Sequence, residues 1–78
     1  MSDTTLADLP AGTAAVVHRF TTSRPSLTRL RELGLTPGTA VRVTRRAPLG
    51  EPIEIDLRGS RIAMRNADAA YVVVTRLD

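Results

Sequence analysis

The stretch IEIDLRGSRIAM, residues 53–64, decides the fold of this chain. Every second residue from position 53 to 57 is apolar, and the alternation resumes from position 61 to 65. A period of two is typical of a β-strand with one buried face. Arg-Gly-Ser-Arg at residues 58–61 joins the two halves and predicts a tight hairpin turn. The stretch therefore predicts two antiparallel strands that cover a core with one face.

Three more strands are predicted on either side of this hairpin, at residues 13–20, 40–46 and 71–77. The strand at 40–46 follows Thr36-Pro37-Gly38-Thr39, in which proline and glycine hold the second and third positions of a type II turn. A second turn is predicted at residues 47–52. Asn66 is predicted to cap one helical turn over residues 67–70.

One α-helix is predicted, over about residues 23–33. Ser23 can accept the hydrogen bonds of an N-cap, and proline at position 25 is tolerated in a first helical turn. The leucines at every third position form an apolar stripe that faces the core: Leu27, Leu30 and Leu33. Gly34 supplies a left-handed residue after the helix, and Leu35 is placed to fold back on Leu30 in a Schellman motif.

The fold class follows from five short strands and one short helix in 78 residues. We expect a single domain, residues 1–78, that is mainly β and forms a small barrel, because closing a sheet removes its exposed edges. An SH3-like barrel and an OB-fold are the two candidates. The short inner strands and the tight hairpin at 58–61 favour the SH3-like five-stranded barrel with the helix inserted.

The residue inventory argues against catalysis and against a tight metal site. The chain has no cysteine, and His18 is its single histidine. No serine is accompanied by a plausible base and orienting acid. Glu54 and Asp56 share a strand face and could bind a hard cation weakly, but such pairs more often form the solvated face of a strand. We therefore predict no enzyme, no catalytic residue, no metal ligand and no cofactor.

The charge is carried by arginine alone. All eleven basic residues are arginines, and residues 19–46 contain seven of them against one glutamate. Such a stretch could bind phosphate groups. Single-stranded nucleic acids, however, are bound by stacking on aromatic side chains, and Phe20 and Tyr71 are the only aromatic residues. No nucleic acid is therefore expected as a partner, and a nucleic-acid-binding barrel stays the less favoured alternative.

The turn Ala-Pro-Leu-Gly at residues 47–50 is the candidate binding site. Leu49 stands between proline and glycine at the tip, where an apolar side chain can anchor a protein partner. We predict a partner contact formed by Leu49, Pro48, Arg46 and Arg31. The alternative is that Leu49 folds back and closes the mouth of the barrel.

Several of these segments together resemble the FeoA family. They are LRELGLTPGTAVRV at 30–43, RAPLGEPI at 46–53 and RGSRIAMR at 58–65, and the resemblance extends from Leu30 to Val74. It implies an SH3-like barrel with a helical insertion, similar to the C-terminal domain of DtxR-type repressors. It also implies a small cytoplasmic protein of bacterial ferrous iron transport, an association with transition metal ion binding, and FeoB-type permeases as partners.

The predicted function is that of a non-catalytic adaptor or regulator of ferrous iron uptake. It acts by contact with the cytosolic part of the FeoB-type permease. The resemblance implies that this part of the permease carries a GTP-binding domain. The expected location is the cytoplasm, at the inner membrane where the permease recruits it, because the chain shows neither an apolar span nor a signal peptide. The alternative is a stand-alone metal-responsive regulatory module of the repressor-associated type.

Overall fold

The computed structural model describes residues 3–77; Met1 and Ser2, which belong to the N-terminus predicted to lack a signal peptide, and Asp78 lie outside the described residues. The elements follow one another as a single 3-10 turn Leu6–Asp8, β1 Ala14–Phe20, α1 Pro25–Glu32, β2 Ala40–Arg46, β3 Ile53–Leu57, β4 Ser60–Met64, α2 Asn66–Ala69 and β5 Val72–Arg76. No helix within residues 3–77 is both long and apolar enough to cross a membrane.

The five strands form one antiparallel sheet in the order β4-β3-β2-β1-β5. The sheet bends at two irregularities in register. One lies between Val17 and Arg19 in β1, and the other lies between Val43 and Arg45 in β2. An extra residue in one strand increases its local twist, and curvature of this kind lets a short sheet wrap around its own core. The prediction of a mainly β fold with five strands is confirmed.

The inward side chains of the sheet form the core together with residues of α1 and of the segment before β1, residues 3–13, which we call the N-terminal lead-in. The fully buried larger members are Leu6, Leu9, Val17, Leu27, Leu35, Val43, Ile53, Ile55, Leu57 and Val72. Along β3, burial follows the predicted alternation: the three apolar side chains are buried, and the two acids between them are partly exposed. The predicted bounds of β2 and β3 agree with the structure at both ends of each strand.

The C-terminus of α1 forms the predicted Schellman motif. The Leu35 N–H donates to the Leu30 carbonyl at 3.1 Å, and the Gly34 N–H donates to the Arg31 carbonyl at 2.9 Å. Gly34 has a φ of +114°, which strains any residue with a Cβ. Leu35 is fully buried. The chain therefore turns sharply from the helix into the core at this position.

Two other predictions about α1 are wrong. The N-cap is Arg24, and its side chain makes no capping hydrogen bond, so Ser23 lies outside the helix. Proline at position 25 takes the first helical position, which makes Arg24 the N-cap, and the Arg24 carbonyl accepts from the Leu27 N–H at 3.0 Å, so that the third helical N–H has a partner without a side-chain cap. Leu33 is 57% exposed and does not join the buried stripe, because the helix ends at Glu32 and Leu35 fills the core in its place.

The prediction for Asn66 also needs correction. Helix α2 begins at Asn66, so that the N-cap position belongs to Arg65. The Asn66 side chain is directed to the loop between β2 and β3 instead, with its amide nitrogen 2.9 Å from the Gly50 carbonyl oxygen. A short polar side chain suits both positions, and the long-range contact decides between them.

Candidate functional site

The loop between β2 and β3, residues 47–52, is the candidate site, and we call it the contact loop. Leu49 lies at its tip and is 97% exposed. The turn closes by a hydrogen bond of 2.7 Å from the Gly50 N–H to the Ala47 carbonyl. The base of the loop closes by a bond of 3.2 Å from the Ala47 N–H to the Pro52 carbonyl. The structure thus presents Leu49 to solvent, as predicted, and does not fold it over the barrel mouth.

Asn66 holds the far side of the contact loop. Its side-chain amide donates to the Gly50 carbonyl, and its backbone N–H donates to Glu51 Oε1 at 3.0 Å. The Glu51 carboxylate therefore occupies the free N–H at the start of α2, where a negative charge is favoured. The loop is thus joined to α2 at two consecutive residues after the tip. An apolar tip held in one conformation loses less entropy on binding than a mobile one.

Arg46 connects the contact loop to the N-terminal lead-in. Its Nη2 donates to the carbonyls of Ala7 at 2.6 Å and Leu9 at 2.7 Å, and its Nε reaches the Leu9 carbonyl at 3.0 Å. Its Nη1 donates to Asn66 Oδ1 at 3.2 Å. The guanidinium therefore fixes the orientation of the Asn66 amide. Arg46 has a supporting position in the structure, and its direct contact with a partner stays a prediction.

The four predicted contact residues do not form one cluster. Pro48 is exposed beside Leu49, and Arg46 lies behind them at the base of the loop. Arg31 instead stacks on Phe20, with its guanidinium carbon 4.5 Å from the ring centroid. Phe20 ends β1, four residues beyond Val16, which pairs with Ala40 at the start of β2, whereas the contact loop follows the end of β2. Seven residues of strand span about 20 Å, so Arg31 lies toward the opposite end of this strand pair.

The remaining candidate residues occupy the outer surface of the barrel. His18 is exposed at the irregularity in β1. Glu54 lies 3.6 Å from Arg45, and Asp56 lies 3.3 Å from Arg61, each in an ion pair across neighbouring strands. Within residues 3–77, no three histidine, aspartate or glutamate side chains come together in a group that could hold a metal ion.

Sequence reasoning missed the support of the contact loop. Asn66 and Gly50 are 16 residues apart, and Arg46 and Ala7 are 39 residues apart. No local periodicity links such pairs. Asn and Arg are common on surfaces, and only the folded arrangement shows that these two side chains hold each other.

These features define a class of protein: a small β-barrel domain that presents a braced loop with an exposed leucine. A family model described as FeoA domain matches residues 4–76, and the chain belongs to the FeoA family. The similarity to the FeoA protein from Chlorobium tepidum is strong, with 37% identity and a TM-score of 0.88, over 96% of this chain and 71% of that one.

A crystal structure from Stenotrophomonas maltophilia gives the fold its name. That FeoA, complexed with zinc, is described as a prokaryotic SH3 domain protein with a suggested role as a bacterial ferrous iron transport activating factor. It is 37% identical, with a TM-score of 0.78, over 91% of this chain and 88% of that one. The predicted family and the predicted SH3-like fold are thus both confirmed.

The predicted similarity to iron-dependent repressors is also found, at the level of the fold. The structure of IdeR from T. acidophilum matches with a TM-score of 0.84 and 19% identity. The match covers 99% of this chain and 35% of the repressor. This chain therefore corresponds to about a third of that longer protein, and the likeness concerns architecture alone.

Proposed function

We propose that this chain is a non-catalytic cytoplasmic adaptor that regulates ferrous iron uptake by binding the cytosolic part of an FeoB-type permease. Membership of the FeoA family supports the pathway. The observation that carries the mode of action is the near-complete exposure of Leu49 on a loop that Asn66 and Arg46 hold in place. The adaptor reaches the inner membrane only through the permease.

The exposed Leu49 side chain can contribute to the affinity for a partner. Burying a leucine side chain is worth about 1.5–3 kcal/mol, which an apolar pocket on a partner can recover. The loop stays in place without Leu49, because its hydrogen bonds involve the Ala47, Gly50 and Asn66 groups. Leu49 is therefore available for binding at no cost to the fold. Pro48 beside it further restricts the backbone of the tip.

Calorimetric titration into the soluble GTP-binding domain of the FeoB-type permease from the same organism tests this proposal. We expect saturable binding by the unmodified protein and binding at least about tenfold weaker for Leu49→Asp, from loss of the buried leucine. Leu77→Asp is the matched control, because Leu77 is also exposed and lies outside the contact loop, with its N–H bonded to the Ala14 carbonyl at the start of β1. Equal weakening by both variants contradicts the site.

The alternatives are distinguished by the same protein preparation. Absence of binding heat both with and without nucleotide contradicts the proposal that this chain binds the GTP-binding domain of the permease. That result favours the repressor-type regulatory module. Steeply salt-dependent binding to nucleic acid would favour the remaining alternative, a nucleic-acid-binding barrel. Against that alternative, Arg24 and Arg31 lie over the rings of Tyr71 and Phe20 at 4.9 and 4.5 Å, on faces that bases would need for stacking.

A further inference from the structure

One edge strand of the sheet pairs with a further segment of the chain, and the other edge strand has no such partner among the described residues. The edge formed by β5 is covered by the N-terminal segment: the Val74 N–H donates to the Thr4 carbonyl at 2.9 Å, and Thr5 forms an antiparallel bridge with Val73. The opposite edge is β4, Ser60–Met64, which pairs with β3 alone. No other segment within residues 3–77 pairs with the outer side of β4. An uncovered edge strand is a template for a further strand.

The hairpin register identifies the backbone groups at this edge. Leu57 and Ser60 face each other across a two-residue turn whose residues, Arg58 and Gly59, have φ values of +53° and +83°. These values are those of a type I′ turn, in which the flanking residues form a hydrogen-bonded pair. Because such pairs alternate, Arg61 and Ala63 direct their N–H and C=O groups away from β3. Four backbone groups therefore face outward in a row.

The charge of the edge selects what can pair with it. Residues 58–65 contain Arg58, Arg61 and Arg65 and no acidic residue. All three arginines are exposed; Arg58 Nη2 donates to Thr39 Oγ1 at 3.4 Å, and Arg61 Nε pairs with Asp56 Oδ1 of β3 at 3.3 Å, which leaves a net positive charge along β4. Pairing with a second copy of the chain would bring these arginines toward their own counterparts, which like-charge repulsion opposes. The edge is therefore suited to a strand that carries acidic side chains.

The two faces of β4 set the pattern of that strand. Arg61 and Ala63 are exposed on the outer face, whereas Ile62 is half-buried and Met64 is buried toward the core. Directly opposed side chains of neighbouring strands lie about 5 Å apart. A strand that pairs with β4 would place acidic residues beside Arg61 on one face and apolar residues beside Ile62 on the other.

We propose that the outer edge of β4 is a docking site for an extended protein segment in which acidic and apolar residues alternate. The segment adds a sixth strand, since its backbone pairs with Arg61 and Ala63 while its side chains provide specificity. Met64, at the end of β4, pairs with Ile53, which directly follows the contact loop. A segment on β4 thus leads toward Leu49, but its binding does not depend on the contact loop.

The test uses the probe peptide acetyl-Glu-Val-Glu-Val-Glu-amide and the full chain labelled with ¹⁵N. We expect saturable shifts of amide signals concentrated at residues 60–65, at peptide concentrations of up to about 1 mM. The matched peptide acetyl-Lys-Val-Lys-Val-Lys-amide should bind at least about tenfold more weakly, because it places cations beside Arg61. Equal binding of both peptides, shifts centred elsewhere or no shifts at all would overturn the proposal.

Ala63→Pro is the decisive variant. It removes an N–H that the pairing with β3 does not use, and proline is tolerated on edge strands. The preceding residue, Ile62, is already extended, as proline requires. We expect an intact spectrum and at least about tenfold weaker peptide binding, while Ala63→Ser binds like the unmodified protein. Unchanged affinity of Ala63→Pro would refute the edge geometry.

A charge reversal keeps the proposal falsifiable where Ala63→Pro does not fold. Arg61 pairs with Asp56 at 3.3 Å on the protein surface, where both side chains are substantially exposed, so its replacement leaves the core intact. Arg61→Glu should weaken binding of the glutamate peptide and strengthen binding of the lysine peptide. A variant that retains the original preference for the glutamate peptide would contradict the proposed recognition.

Discussion

Replacing Arg46 by alanine removes the guanidinium that ties the contact loop to the N-terminal lead-in, and we expect a large loss of stability. The side chain donates to the carbonyls of Ala7 and Leu9 at 2.6–3.0 Å and to Asn66 Oδ1 at 3.2 Å. Leu9 is 1% exposed. The carbonyls that lose their donor therefore lie at the border of the core, where water replaces the guanidinium incompletely.

The magnitude follows from the number and kind of these bonds. A hydrogen bond to a charged group contributes about 1.5–3 kcal/mol, and bonds that share one side chain are not additive. We expect Arg46→Ala to lower the free energy of unfolding by about 2–4 kcal/mol. That is a large fraction of the roughly 5 kcal/mol available to a domain of this size. The melting temperature should fall by at least about 10 °C.

Arg42→Ala is the matched control for this prediction. Arg42 belongs to the same strand and also donates to a carbonyl of the lead-in, that of Gly12 at 2.9 Å, but the bond is exposed. Its loss should cost about 0.5–1 kcal/mol. Urea unfolding followed by circular dichroism measures both variants. Equal stabilities of Arg46→Ala and Arg42→Ala would refute the supporting role of Arg46.

Four further variants test other features of the fold and of the contact loop. Gly34→Val should lower the free energy of unfolding by about 2 kcal/mol or more, because φ is +114° at this position while the added Cβ would lie 3.7 Å from the nearest side-chain atom and so would not clash. An unchanged melting temperature would contradict the assignment of a strained backbone position after α1. Ile55→Asp should unfold the domain because it buries a charge, whereas Asp56→Ser should change the free energy of unfolding by less than about 1 kcal/mol. If urea unfolding shows that Asp56→Ser is the more damaging substitution, the strand register is wrong. Asn66→Ala should raise the rate of hydrogen exchange at the Gly50 amide and weaken permease binding, while the free energy of unfolding changes by roughly 1 kcal/mol. An unchanged exchange rate would show that the contact loop keeps its conformation without Asn66.

Local chemistry explains which parts of the fold the sequence predicts. Strands β2 and β3 follow from alternation between turn residues, and the helix C-terminus follows from glycine and leucine at fixed offsets. Each of these signals acts over a few residues. The Ser23 cap fails because the helix begins at Pro25, which places Arg24 and not Ser23 at the N-cap position.

The candidate site was predictable only at its tip. Exposure of Leu49 follows from the turn residues beside it. The grouping with Arg31 required knowledge of which ends of β1 and β2 meet, and the structure pairs Arg31 with Phe20 instead. The roles of Asn66 and Arg46 depend on contacts between distant segments, which no spacing in the sequence encodes.

The most direct test of the adaptor proposal is an NMR measurement on leucine methyl groups labelled with ¹³C. Among residues 3–77, three large apolar side chains are exposed, Leu33, Leu49 and Leu77, so that one sample contains the candidate and two internal controls. On addition of the GTP-binding domain of the permease, cross-saturation should reach the Leu49 methyl groups and leave those of Leu33 and Leu77 unaffected. Cross-saturation at Leu33 or Leu77 without Leu49, or at none of the three, would contradict the account.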